Sequence, residues 1–320
     1  MAESIDPRPR LPVVDVARGV ALLAMVVYHL SWDLAYARFV PWDVSGDPLW
    51  RGFAAAIAGS FLLLSGLSLV LAAERSPGLE GPLRRIGKLA LAAAAVSLAT
   101  YLVFPDSFVF FGILHMIAVG SLLGLPLRRA PVPLLLALAA FVLILPQVAR
   151  SPAFDHPAFW PLGLSATIPP ANDYVPVFPW FAPILVGMSL GRLVVSGAIR
   201  LPAVNAGRWP ARAFAVAGRW SLVIYLLHQP LLFGAVDGLS RLLPPDPGTE
   251  RIRFVRECTA ECAGFAPPDA GYCPRFCGCV ADALEGTAFW SVRGGDPEMS
   301  SLVAAAAGTC RGADSAMPLQ

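Results

Sequence analysis

Histidine, carboxylate and arginine side chains set inside oily stretches are the residues of this chain best placed to do chemistry. The first apolar stretch reads D-V-A-R-G-V-A-L-L-A-M-V-V-Y-H-L-S-W-D-L, from Asp15 to Leu34. His29 and Asp33 are four apart, so a helix puts them on one face. A carboxylate one turn from an imidazole can hold its tautomer and stabilise the imidazolium, as a general base requires. Asp15 and Arg18 share a face nearer the start of the same stretch. Further on, F-G-I-L-H-M-I-A carries His115, and G-R-W-S-L-V-I-Y-L-L-H-Q-P carries Arg219, Tyr225, His228 and Gln229. Ionisable groups inside a membrane are costly and mark functional sites. His29, His115 and His228 stand on separate stretches at similar depth, and the chain has only 4 histidines. That pattern predicts that the three converge, with Asp33, on a catalytic centre. The plainer alternatives are an interfacial anchor for Asp15 with Arg18, and an interhelical hydrogen bond for His29 with Asp33. His156, in Asp155-His156-Pro157, is expected to meet solvent.

Other chemistries lack their residues. There is no Walker-type glycine loop, no H-E-x-x-H and no dinucleotide fingerprint. The basic residues are scattered rather than gathered in a stripe, so nucleic-acid binding is not expected, and no metal site is expected.

The elements that must position these groups are membrane helices. Of 320 residues, 56% are hydrophobic and 14% charged, against about 25% charged in ordinary soluble domains. Apolar runs long enough for about 30 Å of hydrocarbon recur at Leu11–Leu34, Trp50–Ala73, Ile86–Phe104, Phe110–Leu127, Val132–Ala149, Val177–Val195 and Ala213–Leu232. They lack the alternation of a barrel, so the fold class is all-α: a polytopic bundle of about seven spans. The first run carries Asp15 and Arg18 and lacks a small-residue cleavage site, so it reads as a retained helix rather than a signal peptide. Ser60, Ser65, Gly66 and Ser68 read as close-packing small residues of the second span.

Charge orients the bundle. With a cytoplasmic N-terminus, the inner segments hold Arg8, Arg10, Arg18, Arg75, Arg84, Arg85, Lys88, Arg128, Arg129, Arg192, Arg200, Arg208, Arg212 and Arg219. The opposite connections hold only Arg38, Arg51 and Arg150. This positive-inside asymmetry predicts a multi-pass protein of a bacterial inner membrane, and an odd number of spans then places its tail on the periplasmic side.

A membrane domain over residues 1–242 would then precede a small cysteine-rich helical tail over 243–320, weakly ordered from about Gly294 onward except at Cys310. All 6 cysteines lie in this tail: Cys258, Cys262, Cys273, Cys277, Cys279 and Cys310. Two C-x3-C helices packed antiparallel would pair Cys258 with Cys277 and Cys262 with Cys273. Six cysteines permit about 15 connectivities in all, so this pairing is a preference. An oxidising compartment favours disulfides. A zinc knuckle would want C-x2-C spacing with histidine nearby, which the tail lacks.

With these residues assembled, the chain resembles the bacterial membrane proteins related to the catalytic domain of heparan-α-glucosaminide N-acetyltransferase. The matching stretches are Arg10–Leu34, F-L-L-L-S-G-L-S-L (Phe61–Leu69), F-G-I-L-H-M-I-A-V-G (Phe111–Gly120), V-F-P-W-F-A-P-I-L-V-G (Val177–Gly187) and Gly218–Pro230. Arg18 and His29, with ten residues between, and Tyr225-Leu-Leu-His228 also resemble the membrane acyltransferases that O-acylate surface polysaccharides. The resemblance implies a membrane-bound acyltransferase that moves an acyl group, acetyl in the simplest case, from cytoplasmic acetyl-CoA or another acyl-CoA to an extracytoplasmic carbohydrate. On that reading Asp15, Arg18 and Arg219 would bind the co-substrate, and His29, Asp33, His115 and His228 would serve the chemistry. The animal enzyme's catalytic histidine is placed after the first helix, where Ala35–Trp50 here contains none. His29 takes that role by position and chemistry. The rival readings are a transporter or flippase of an envelope precursor, and a non-catalytic anchor that displays the tail.

Overall fold

The computed structural model describes residues 11–75, 78–205, 207–243, 246–265, 269, 271–290 and 297–314. Arg8, Arg10 and Gly294 of the sequence reading lie outside them. Among the described residues there are helices and isolated bridges but no strand. The chain divides into two compact units, residues 1–26 with 52–228 and residues 27–51 with 229–320. The composition shifts near residue 243, whereas the division by packing falls inside the first, second and last membrane helices.

Every expected apolar run is helical. Among the described residues, six helices are long and apolar enough to cross a membrane: α1 (Pro12–Tyr36), α2 (Pro48–Arg75), α3 (Glu80–Val103), α5 (Val132–Ala149), α6 (Val177–Val195) and α8 (Ser221–Leu242). The run expected over Phe110–Leu127 forms only α4 (Ile113–Gly124), of 12 residues, which at 1.5 Å per residue is about 18 Å. Gly112 caps its start, and Leu125 leads into Pro126 at its end. Eight of its twelve residues are buried. A helix apolar all round belongs in a core, and this one fills the first unit's. The last run breaks at Trp220, which separates α7 (Ala211–Arg219) from α8.

In the first unit, Leu62, Val70, Met116, Leu135, Ile184, Leu185 and Met188 are fully buried. Two reciprocal glycine contacts set the approach of its helices. A methyl at Gly66 of α2 would run into the Ile184 carbonyl of α6, and one at Gly187 of α6 into the Leu63 carbonyl of α2. Gly19 of α1 and Gly218 of α7 meet the Phe214 and Asp15 carbonyls in the same mutual way. Without a hydrophobic drive between helices in lipid, such contacts between small residues provide the attraction. Large side chains of α3 (Leu91, Leu98, Leu102) and α5 (Phe141, Ile144, Val148) are exposed. So much uncovered apolar surface is the mark of a lipid-facing wall.

In the second unit, α9 (Pro247–Ala263), α10 (Tyr272–Ala283) and α11 (Pro297–Asp314) follow α8. Asp246 caps α9, accepting from the Thr249 N–H at 2.7 Å. The disulfides are Cys258–Cys277, Cys262–Cys273 and Cys279–Cys310. The first two form the antiparallel ladder that the i, i+4 spacing favoured. The third ties α11 to α10, and the stretch expected to be weakly ordered is helical over Pro297–Asp314. Val280, Ala281, Leu284 and Trp290 pack with Phe254 and Phe289 into a small core. Disulfides commonly supplement cores of this size.

Candidate functional site

The first unit contains a cavity of about 470 Å³ lined by Asp15, Arg18, Ser68, Arg75, Arg85, Lys88, Arg219 and Tyr225, among others. Five cations face it against one carboxylate. The Gly19–Gly218 contact places α1 against α7, which is how Asp15 and Arg18 come to share a wall with Arg219. Arg18 is held at two points. Its Nη1 donates to Asp15 Oδ1 at 3.1 Å and its Nη2 to Ser68 Oγ at 2.7 Å. The Ser68 hydroxyl gives its own proton to the Leu64 carbonyl at 2.6 Å, so its oxygen is left to accept. Arg219 Nε donates to the Ala215 carbonyl at 3.3 Å. A planar guanidinium fixed in this way presents its remaining N–H groups in a set direction, which suits phosphate oxygens.

Thus the three residues expected to bind a co-substrate, Asp15, Arg18 and Arg219, share one cavity. Arg75, Arg85 and Lys88 join them; in the sequence their positive charge served only to orient the bundle. Ser68, read there as a packing residue, also orients Arg18. The three-residue spacing of Arg85 and Lys88 at the start of α3 was the available signal.

The histidines differ in environment. His115 Nδ1 accepts from the Gly112 N–H at 3.2 Å, and Nε2 lies 3.2 Å from Ser97 Oγ. The Ser97 proton goes to the Val109 carbonyl at 2.6 Å, so Nε2 must be the donor to Ser97. Both nitrogens are therefore used, in the neutral tautomer, to fasten the start of α4 to α3. This is the work of a capping residue. His228, which is buried, donates from Nδ1 to the Tyr225 carbonyl at 2.7 Å, so Nε2 is the basic nitrogen of its neutral ring. His156 is exposed, and its Nδ1 accepts from the Ala158 N–H at 3.3 Å.

Two loop carboxylates between α5 and α6 are also well placed. Asp155 accepts from Ser165 Oγ at 2.5 Å and from the Ala166 N–H at 2.8 Å, and the Ser165 bond chiefly holds it below the usual carboxylate range. Asp173 accepts from the Ile113 N–H at 2.8 Å and caps α4. Burial pushes its pKa up to about 6, against the opposing pull of that hydrogen bond. The sequence reading assigned it no role.

In the second unit, His29 lies edge-on to Tyr28, with ring centroids 5.6 Å apart. Asp33 is 1% exposed, and its Oδ1 accepts from Gln229 Nε2 at 2.8 Å. Its Oδ2 is buried with no hydrogen-bond partner among the described residues. Asp33 lines a second cavity, of about 190 Å³, with Tyr36, Arg38, Asp237 and Ser240. The sequence named Gln229 but gave no reason to join it to Asp33. Among the described residues no group of three or more His, Cys, Asp or Glu could hold a metal ion.

No curated protein matches the chain. No solved structure matches it either. The family model described as "Heparan-alpha-glucosaminide N-acetyltransferase, catalytic" matches residues 10–230. That span takes in every residue that lines the cation-walled cavity, and the chain belongs to this family of membrane acetyltransferases.

Proposed function

We propose that this chain transfers an acyl group, acetyl in the simplest case, from acyl-CoA to a carbohydrate of the cell envelope. The observation that carries the reading is the cavity in which Arg18, Arg75, Arg85, Lys88 and Arg219 face a single carboxylate, Asp15. A co-substrate rich in phosphate needs such a wall. On the topology read from charge, that cavity opens to the cytoplasm. With the short α4 counted as a seventh crossing beside the six long helices, the N-terminus is cytoplasmic, the tail periplasmic and the membrane the inner one.

In the reaction, an acceptor hydroxyl or amine forms a bond to the acyl carbon and loses its proton to a base. The carbon–sulfur bond breaks, and coenzyme A leaves as its thiol. His228 Nε2 is the base best prepared by its surroundings, because Nδ1 is already committed to the Tyr225 carbonyl. His29 and Asp33 serve the acceptor. His115 keeps α4 in place and takes no proton. The membrane supplies lipid as the protein's solvent, and neither a metal nor nucleic acid has a role.

The decisive experiment measures acyl-CoA thioester turnover by the purified protein across a panel of envelope sugars. Turnover that depends on an acceptor and is lost in His228→Ala supports the reading. Movement of a sugar precursor across vesicles without thioester cleavage would replace it with transport.

A further inference from the structure

The first helix ends unusually. The Arg38 N–H donates to the Ala35 carbonyl at 3.1 Å and the Phe39 N–H to the Leu34 carbonyl at 2.9 Å, the paired bonds of a Schellman ending. The residue at the left-handed position is Arg38, with φ 67°. Glycine is the usual occupant there because a Cβ is strained. Strain of this kind persists only where the surroundings enforce it.

Here they do, and the enforcing residues lie on α9, beyond the family match that stops at residue 230. Arg38 Nη1 pairs with Glu250 Oε2 at 3.3 Å, the Glu250 side chain being 14% exposed. Arg253 Nη1 donates to the Ala35 carbonyl at 3.2 Å, and Arg256 Nη1 to the Pro41 carbonyl at 2.6 Å. α1 carries no basic residue in its own last turn. The tail supplies the cation that a helix C-terminus attracts and a donor for one of its terminal carbonyls. Disulfides at Cys258 and Cys262 hold α9 in turn.

What this end of α1 controls is the cavity of about 190 Å³ that Arg38 and Asp33 line together. Half of its lining, Phe233, Val236, Asp237 and Ser240, also falls outside the family match. We infer that Glu250, Arg253 and Arg256 of the tail are positioning residues, which clamp the strained end of α1 so that the open oxygen of Asp33 faces an acceptor group bearing hydrogen-bond donors. The inference rests on the proposed acyl transfer for its substrate. It makes the tail part of the acceptor site rather than an appendage.

Two variants test it in the full-length protein, each read by kinetics and by amide hydrogen exchange. Glu250→Gln breaks the ion pair. Arg38→Gly relieves the backbone strain and so keeps the fold, yet removes the same pair. Both should raise the acceptor KM roughly tenfold while leaving the acyl-CoA KM unchanged, and should speed exchange of the amides of residues 37–40 roughly tenfold. A purely structural role predicts the opposite for Arg38→Gly, namely exchange and acceptor KM at or below wild type. That result overturns the inference. Should wild type cleave no acyl-CoA with any acceptor, the proposed reaction fails, and the exchange data alone decide the clamp: unchanged exchange in both variants rejects it.

Discussion

Gln229 holds the Asp33 carboxylate by one oxygen only, at 2.8 Å, in a place where the carboxylate is 1% exposed. Burial of an ionised group is tolerable only with partners. Removing the amide in Gln229→Ala should cost about 2–3 kcal/mol of stability, the value of a hydrogen bond to a charged group. Gln229→Glu should cost more, because it places a second carboxylate beside the first. Thermal unfolding in detergent measures both, and equal melting temperatures for all three proteins would count against the pairing.

The fixed guanidinium of Arg18 makes a sharper prediction than the other cations of its cavity. Arg18→Ala should raise the acyl-CoA KM roughly ten- to hundredfold through loss of charged hydrogen bonds. Ser68→Ala should give a smaller rise, since it removes only one of the two bonds that aim the guanidinium. Initial-rate kinetics with acyl-CoA varied at saturating acceptor separates the two. A KM unmoved in Arg18→Ala would remove this cavity from co-substrate binding.

Asp173 links pH to stability. Its pKa in the folded protein is about 6, above the 3.8 of an ordinary aspartate, so the folded chain holds the proton more tightly than the unfolded chain does. The contribution is complete below about pH 4 and lost as pH rises through about 6. Over that window it amounts to at most about 3 kcal/mol. Asp173→Asn keeps an acceptor for the Ile113 N–H and cannot ionise. Melting temperature should therefore fall between pH 4 and 6.5 in wild type and stay flatter in the variant. Identical slopes would deny the burial of this group.

The mutual approach of Gly66 and Gly187 predicts intolerance of a single methyl. Gly187→Ala should cost about 1–3 kcal/mol or more, as overpacking does where the opposing atom is backbone. Gly59→Ala on the same α2 meets open space and should be neutral or slightly stabilising. Comparing the two by thermal unfolding controls for helix propensity.

Much of this was readable in advance, for physical reasons. Apolar length gave the helices, because lipid leaves the backbone few alternatives. The i, i+4 cysteines gave two of the three disulfides, because an antiparallel helix pair can match such rungs in only one way. Asp15, Arg18 and Arg219 could be grouped only through the family resemblance. Arg85 and Lys88 could not, since sidedness already accounted for their charge. The shortness of α4 was hidden because its apolar run continues into capping turns on both sides. The left-handed Arg38 left no trace at all: only glycine announces that conformation in a sequence, and here the partner that enforces it stands 212 residues away.

The three cystine bridges use every sulfhydryl the chain possesses. Any cysteine added by mutagenesis is thus the sole thiol, and no native residue need be removed first. An impermeant maleimide applied to intact cells would label such a probe at Ser151 but not at Ser196 if the charge-derived orientation holds, which turns a bridged tail into a ready background for mapping sidedness.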